Sequence, residues 1–270
     1  METVRKSSSR VSLQKFGYHE RIRLSQEPSL SVVQPGHPGQ KYYVSWKIGN
    51  TGWIGLKKCH GNPTFLIQER SVNEELEVVG NLRATEHPRL VNLIEAFQDQ
   101  SIHLVYRFHG FTVDLRRVCA RSQAQLNDVE IATICKHIFQ GLQYIHSVLN
   151  IAHGDLCARN ILLYEDGQIR IANIGASFLK NCKDTRRDLR GLGHLILRLS
   201  GSDNFLTDQA WNVSEQMKDF VSKLSTAPYY HICQHEYLQQ ALIDERPWIL
   251  VPYYFSTIGL AWPLPTPVDM

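Results

Sequence analysis

The residues best able to do chemistry sit in one stretch, His153-Gly154-Asp155-Leu156-Cys157-Ala158-Arg159-Asn160, which runs into the apolar Ile161-Leu162-Leu163. An aspartate, four intervening residues and an asparagine thus lead into a strand. After a short hairpin comes Ile169-Arg170-Ile171-Ala172-Asn173-Ile174-Gly175, with a second asparagine. Carboxylate and carboxamide oxygens serve protons and hard cations. Sulfur offers less here. The six cysteines (Cys59, Cys119, Cys135, Cys157, Cys182, Cys233) are scattered with no C-x-x-C, which suits free thiols in a reducing compartment. His231-x-Cys233-x-His235 is the one metal-like cluster, and zinc there is the minor reading.

The elements around this stretch must position it. Residues 128–148 read as a helix, because Ile131, Ile134, Ile138, Leu142 and Ile145 recur at helical spacing behind an N-cap at Asn127 or Asp128. Residues 29–33, 41–48 and 53–58 read as strands, rich in β-branched and aromatic types, with a tight turn over Gly49-Asn50-Thr51-Gly52. Residues 73–82 (NEELEVVGNL) carry helical spacing.

In this order the motifs resemble those of eukaryotic protein kinases. H-G-D-L-C-A-R-N is similar to the catalytic loop H-R-D-L-x-x-x-N, and N-I-G stands where D-F-G is expected. Gly141-Leu142-x-Tyr144-Ile145-His146 resembles the end of the helix before that loop, and His87-Pro88-Arg89-Leu90-Val91-Asn92-Leu93 the entry to the fourth strand. The resemblance covers roughly residues 30–240. It implies an α+β, two-lobed fold: a basic, Ser-rich arm (1–28), a β-rich N-lobe with one helix and hinge (29–108), and a mainly helical C-lobe (109–245). A Pro- and aromatic-rich tail (246–270) follows, expected to be extended and packed on the lobe, with docking of a partner as the sharper reading.

The resemblance also assigns roles. Asp155 takes the position that accepts the substrate hydroxyl proton, and Asn160 and Asn173 are weak magnesium candidates. Ile54-Gly55-Leu56-Lys57 resembles V-A-I-K, so Lys57 would hold nucleotide phosphates, paired with Glu75 or alternatively Glu77. Tyr106 and Phe108 fall at the gatekeeper and hinge of an ATP pocket. The phosphate-covering loop would be Gln34–Gln40, but its two prolines lack an N–H, so a turn is expected instead.

Four departures point away from efficient catalysis. Asn173 lacks the charge of the metal-binding aspartate; a unit pair ~4 Å apart is worth roughly 4 kcal/mol at an effective dielectric of about 20, and a divalent ion doubles it. Gly154 replaces the arginine that reads a phosphorylated activation loop. The first loop is a poor phosphate cradle. Finally, 12 residues (176–187) separate Gly175 from Asp188-Leu189-Arg190-Gly191-Leu192-Gly193, which resembles the next helix, leaving no A-P-E and no peptide platform.

The expected function is therefore that of a pseudokinase acting as a binding or scaffold module in signalling, with a protein partner, an active kinase among the candidates. ATP is the implied nucleotide; productive magnesium binding is not expected. The alternatives are a weak ATP-dependent protein kinase (Ser/Thr or Tyr) and a small-molecule phosphotransferase. A formal charge of +3 gives no case for nucleic acid, and no apolar run is long enough to span a bilayer. With 43% hydrophobic residues a normal core is expected, in an intracellular protein of cytoplasm or nucleus.

Overall fold

Six strands, Val33–Pro35 (β1), Tyr42–Ile48 (β2), Gly52–Lys57 (β3), Thr64–Ser71 (β4), Leu93–Gln98 (β5) and Ser101–Arg107 (β6), form one sheet in the order β1-β5-β6-β4-β3-β2. They come from a computed structural model that describes residues 32–48, 52–71, 76–120, 126–201, 214–242, 246 and 248–261. All pairings are antiparallel except β1 with β5. Alternation gives the sheet two faces. Paired residues Ile54, Leu66 and Tyr106 mark the inner face, toward the main core. Ile67, Val105, Tyr42 and Phe97 gather in a second core on the outer face.

This topology corrects three expectations. The third strand of the β2-β3-β4 meander, the one paired with the hinge strand β6, is Thr64–Ser71, a strand absent from the sequence reading. Gln34–Gln40 does not join the first two meander strands. It contains the end of β1 and a 3-10 turn, Pro38–Gln40, and β1 and β2 lie at opposite edges of the sheet. The loop between β2 and β3 is 49–51, which lies outside the described residues. Of the helix expected over 73–82, the described residues form a 3-10 segment, Leu76–Asn81. Val78, Val79 and Gly80 are poor α-helix formers, and Val79 and Leu82 are buried in the core.

The rest is mainly helical: Leu115–Cys119 (α1), Asp128–Ser147 (α2), Ile174–Lys180 (α3), Thr185–Leu199 (α4), Glu215–Thr226 (α5), Tyr229–Cys233 (α6), Glu236–Gln239 (α7) and Val251–Ala261 (α8). A small sheet, Thr112–Asp114 (β7), Ile161–Tyr164 (β8) and Ile169–Ile171 (β9), packs against α1, α2 and α8. The long helix α2 starts at a capping box, with Asn127 and Glu130 each taking the other's backbone N–H. The expected extended tail is instead α8, in which Pro252 sits in the first turn, where its missing N–H costs nothing. Tyr254 donates to Phe111 O at 3.0 Å and Tyr253 to Glu130 Oε2 at 2.6 Å, tying α8 to β7 and α2. Residues 262–270 lie outside the described residues, as do 1–31. Among the described residues no helix is long and apolar enough to cross a membrane.

Of the buried polar residues of α2, Glu130 and Thr133 are hydrogen-bonded and His137 is not. His137 is 1% exposed, and neither ring nitrogen has a hydrogen-bond partner. Burial, helped by Arg89, lowers its pKa to about 3. Burial and Arg89 likewise lower His87 to about 4. Both values lie below the ordinary 6.5, so the unfolded chain takes up protons first. Stability is then full above about 6.5 and falls as pH drops toward 4. His137→Leu is expected to stabilise by about 1–2 kcal/mol at pH 7, since it removes a buried polar group without a partner. It should also flatten the acid slope. Urea unfolding at pH 7 and pH 5 checks both; a destabilised variant would refute the account.

Candidate functional site

The loop from His153 to Asn160 is held from behind. Asp188 on α4 is fully buried, and its carboxylate accepts from His153 N and Gly154 N, each at 2.7 Å, and meets His146 Nε2 at 2.8 Å. His153 bridges forward. Its Nδ1 accepts from Asp155 N at 3.4 Å, so its Nε2 is the donor to Ala172 O at 2.8 Å. Burial lowers its pKa and keeps the ring neutral, which this pair of bonds requires.

Gly154 is in the left-handed region at φ 76°, and a Cβ there would lie 3.3 Å from Cys182 Cβ. Glycine at this position removes the backbone strain that a side chain would bring.

Asp155, Asn160 and Asn173 lie next to one another. Asn160 Nδ2 donates to Asp155 O at 2.7 Å and to Asp155 Oδ2 at 3.0 Å. Asn173 Nδ2 donates to Asn160 Oδ1 at 2.6 Å. Asn173 stands at φ 66°, a conformation asparagine tolerates better than most residues, at the start of α3. The three side chains therefore form a linear hydrogen-bonded chain. The Asn160 oxygen that would face a cation is occupied by an amide, and the group contains one carboxylate, the exposed Asp155.

The roof departs further from expectation. Gln68 on β4 shares the inner face with Leu66 and Tyr106, and Phe65-Leu66-Ile67-Gln68 takes the place of V-A-I-K on the third strand. Its Oε1 is buried with no hydrogen-bond partner. The cation on that face of β4 is Arg70, two residues on and exposed.

Lys57, the predicted phosphate ligand, is on β3 opposite Tyr42 and so on the outer face. Its Nζ lies 3.9 Å from Glu95 Oε1 and over the Phe65 ring. Glu95 is nearly buried and also binds Gln34 Nε2 at 2.7 Å, Lys41 Nζ at 3.4 Å and the Tyr42 hydroxyl. Glu95 was not identified from sequence; one acidic residue in the apolar run L-I-E-A-F was the available signal. Glu75 lies outside the described residues, and the Glu77 side chain is likewise not described.

At the back of the cleft the Tyr106 hydroxyl accepts from Gly175 N at 3.2 Å. A Cβ on Gly175 would meet that hydroxyl at 2.5 Å, so this clasp needs glycine. Burial raises the Tyr106 pKa and keeps it protonated. From Gly175 the chain continues as α3, which buries Ile174 and Phe178 and packs against the 3-10 segment 76–81. Only residues 181–184 join α3 to α4, as the short interval predicted. Phe108, at the hinge, is half-buried and packs edge-on against Phe111.

The donor set does not fit a magnesium–nucleotide pair. A divalent ion needs charge from its ligands, and here an amide replaces the carboxylate and is already hydrogen-bonded. No lysine of β3 or β4 points to the inner face. His231-x-Cys233-x-His235 is also not assembled as a metal site: His235 Nε2 binds Asp219 Oδ2 at 3.0 Å and Cys233 Sγ donates to Tyr230 O.

Comparison with known proteins bears on the family of the fold. The family described as "Protein kinase domain" matches residues 47–191. Serine/threonine-protein kinase 10 of Danio rerio is 30% identical over 162 residues, covering 56% of this chain and 16% of that protein. Serine/threonine-protein kinase pakA of Talaromyces marneffei is 25% identical over 170 residues, or 58% of this chain and 26% of that protein. Guanylate cyclase 32E of Drosophila melanogaster is 23% identical over 150 residues, 56% and 12% respectively. The match thus spans about a quarter or less of each relative.

Proposed function

This chain belongs to the protein kinase family, and we propose that it is a catalytically impaired member that works as a binding or scaffold module. One observation carries the reading: Asn173 has replaced the metal-binding aspartate and closes the Asn160 oxygen with its own amide at 2.6 Å. The neutral Gln68 on the inner face and the outward Lys57 support it. What the fold keeps is the framework. Asp188 holds the loop from behind, and Arg186, Arg187, Arg190 and His194 of α4 are exposed, with Arg190 paired to Asp184 and Arg186 donating to Ser225 O. That basic stripe favours an acidic segment of a protein partner, with an active kinase among the candidates.

Thermal unfolding with ATP, with and without magnesium, tests the reading. Ligand at a concentration equal to its Kd adds about 0.4 kcal/mol, roughly 1 °C or less here. The expected result is no magnesium-dependent rise beyond that, and no change in nucleotide response on Lys57→Ala. A magnesium-dependent rise of several degrees would instead favour the second reading, a weak kinase using the exposed Asp155.

A further inference from the structure

The β1 segment and its turn precede the part of the chain that matches the family, and they bring His37 beside the β5–β6 hairpin. Within that hairpin Asp99 and His103 face each other, with Oδ1 and Nε2 3.3 Å apart. The His37 and His103 rings meet edge to face with centroids 4.8 Å apart. One ligand atom from each of His37, Asp99 and His103 lies within 4.8 Å of the other two, the one such group among the described residues. We propose that these three side chains form a site for a divalent transition-metal ion, zinc being the best match, that fastens the β1 segment to the N-lobe sheet.

The chemistry selects the ion. Two imidazole nitrogens and one carboxylate oxygen suit zinc, with water in the fourth position, and are too few and too nitrogen-rich for calcium or magnesium. Zinc at about 2.1 Å from each ligand sets neighbouring ligand atoms of a tetrahedron roughly 3.4 Å apart. The Asp99–His103 pair already has that spacing. His37 must close by at most about 1.4 Å, on the same tetrahedral estimate, and it is exposed.

The pair is also held from outside. Ser101 N donates to Asp99 Oδ1 at 2.9 Å, and His103 is 6% exposed on β6. Outer contacts of this kind fix ligand orientation. Two existing interactions oppose the metal: the Asp99–His103 hydrogen bond, which the ion replaces as His103 Nε2 gives up its proton, and the bond that His37 Nδ1 accepts from Gly39 N at 3.0 Å. Metal binding at His37 Nε2 with the other nitrogen protonated must break this second, exposed bond, a small cost beside metal coordination. No other charged group belongs to the group of ligands.

Calorimetric titration of the full chain, stripped with a chelator, with zinc chloride is the test. One saturable one-to-one event is expected, weakened at least tenfold by His37→Ala and by Asp99→Asn. His37 is exposed, so its replacement leaves the fold intact; a matching thermal melt of each variant without zinc verifies this. Hydrogen exchange should slow over residues 33–40 and 99–103 on adding zinc to the wild type, and not to His37→Ala. The proposal fails if no one-to-one event is seen, or if the event survives both substitutions, which would assign the zinc to the cysteines or to His231 and His235.

Discussion

Asp188→Ala is expected to cost about 3–5 kcal/mol of folding stability, because it strands donors in a site with no water access. The carboxylate is 0% exposed and takes two buried backbone N–H groups and one imidazole nitrogen. Each unsatisfied buried group costs about 1–3 kcal/mol, and a domain has only about 5–15 kcal/mol in total. Asp188→Asn keeps one oxygen acceptor and should lose about half as much. Urea unfolding of the two variants reads this directly. A loss below about 1 kcal/mol for the alanine variant would mean that the loop is held by something else. Hydrogen exchange separates local from global effects: the amides of His153 and Gly154 should lose protection in both variants, including where the rest of α4 stays protected.

The C-lobe was legible because its signals are long or chemically specific. Helix α2 repeats its apolar positions over about four turns, and Asp188 and the Asp155–Asn160 pair sit at spacings that few other folds need. The N-lobe was misread by one strand. An apolar strand ending in lysine is common, and β3 ends in Lys57, whereas the third meander strand reads F-L-I-Q and has lost its marker. Strand alternation then makes the error decisive, since moving the lysine to another strand also moved it to the other face of the sheet.

Two other misses have physical causes. Residues 73–82 show helical spacing, yet spacing says nothing of Val-Val-Gly within it, and an α-helix needs both pattern and propensity. Val251–Ala261 reads as a tail because it is aromatic and follows prolines, but a proline in a first turn is compatible with a helix, and burial of Tyr254 supplies the rest. The Glu95 cluster joins Gln34, Lys41, Tyr42 and Lys57 from three other strands or their flanks. Only the pairing order of the sheet brings them together, and no local pattern records it.

Asn173→Asp should make the protein's stability depend on magnesium. Without the ion, the introduced carboxylate faces Asn160 Oδ1 and cannot donate to it, and Asn160 cannot turn its amide without releasing Asp155. Two acceptors in contact in a half-buried site should cost about 1–2 kcal/mol. Magnesium accepts one or two protein oxygens and keeps its other waters, so it should recover most of that loss in the variant and do nothing to the wild type. Phosphotransfer should nevertheless stay absent, because charge at one position does not supply a lysine in place of the neutral Gln68 on the inner face. Combining Gln68→Lys with Asn173→Asp addresses both defects, and the lysine enters where the Gln68 oxygen lacks a partner. The double variant is expected to gain a magnesium-dependent thermal shift with ATP that neither single variant shows. If Asn173→Asp alone transfers phosphate, the missing charge was the sole defect and Gln68 is not a barrier. If the wild type does so, the impaired reading falls.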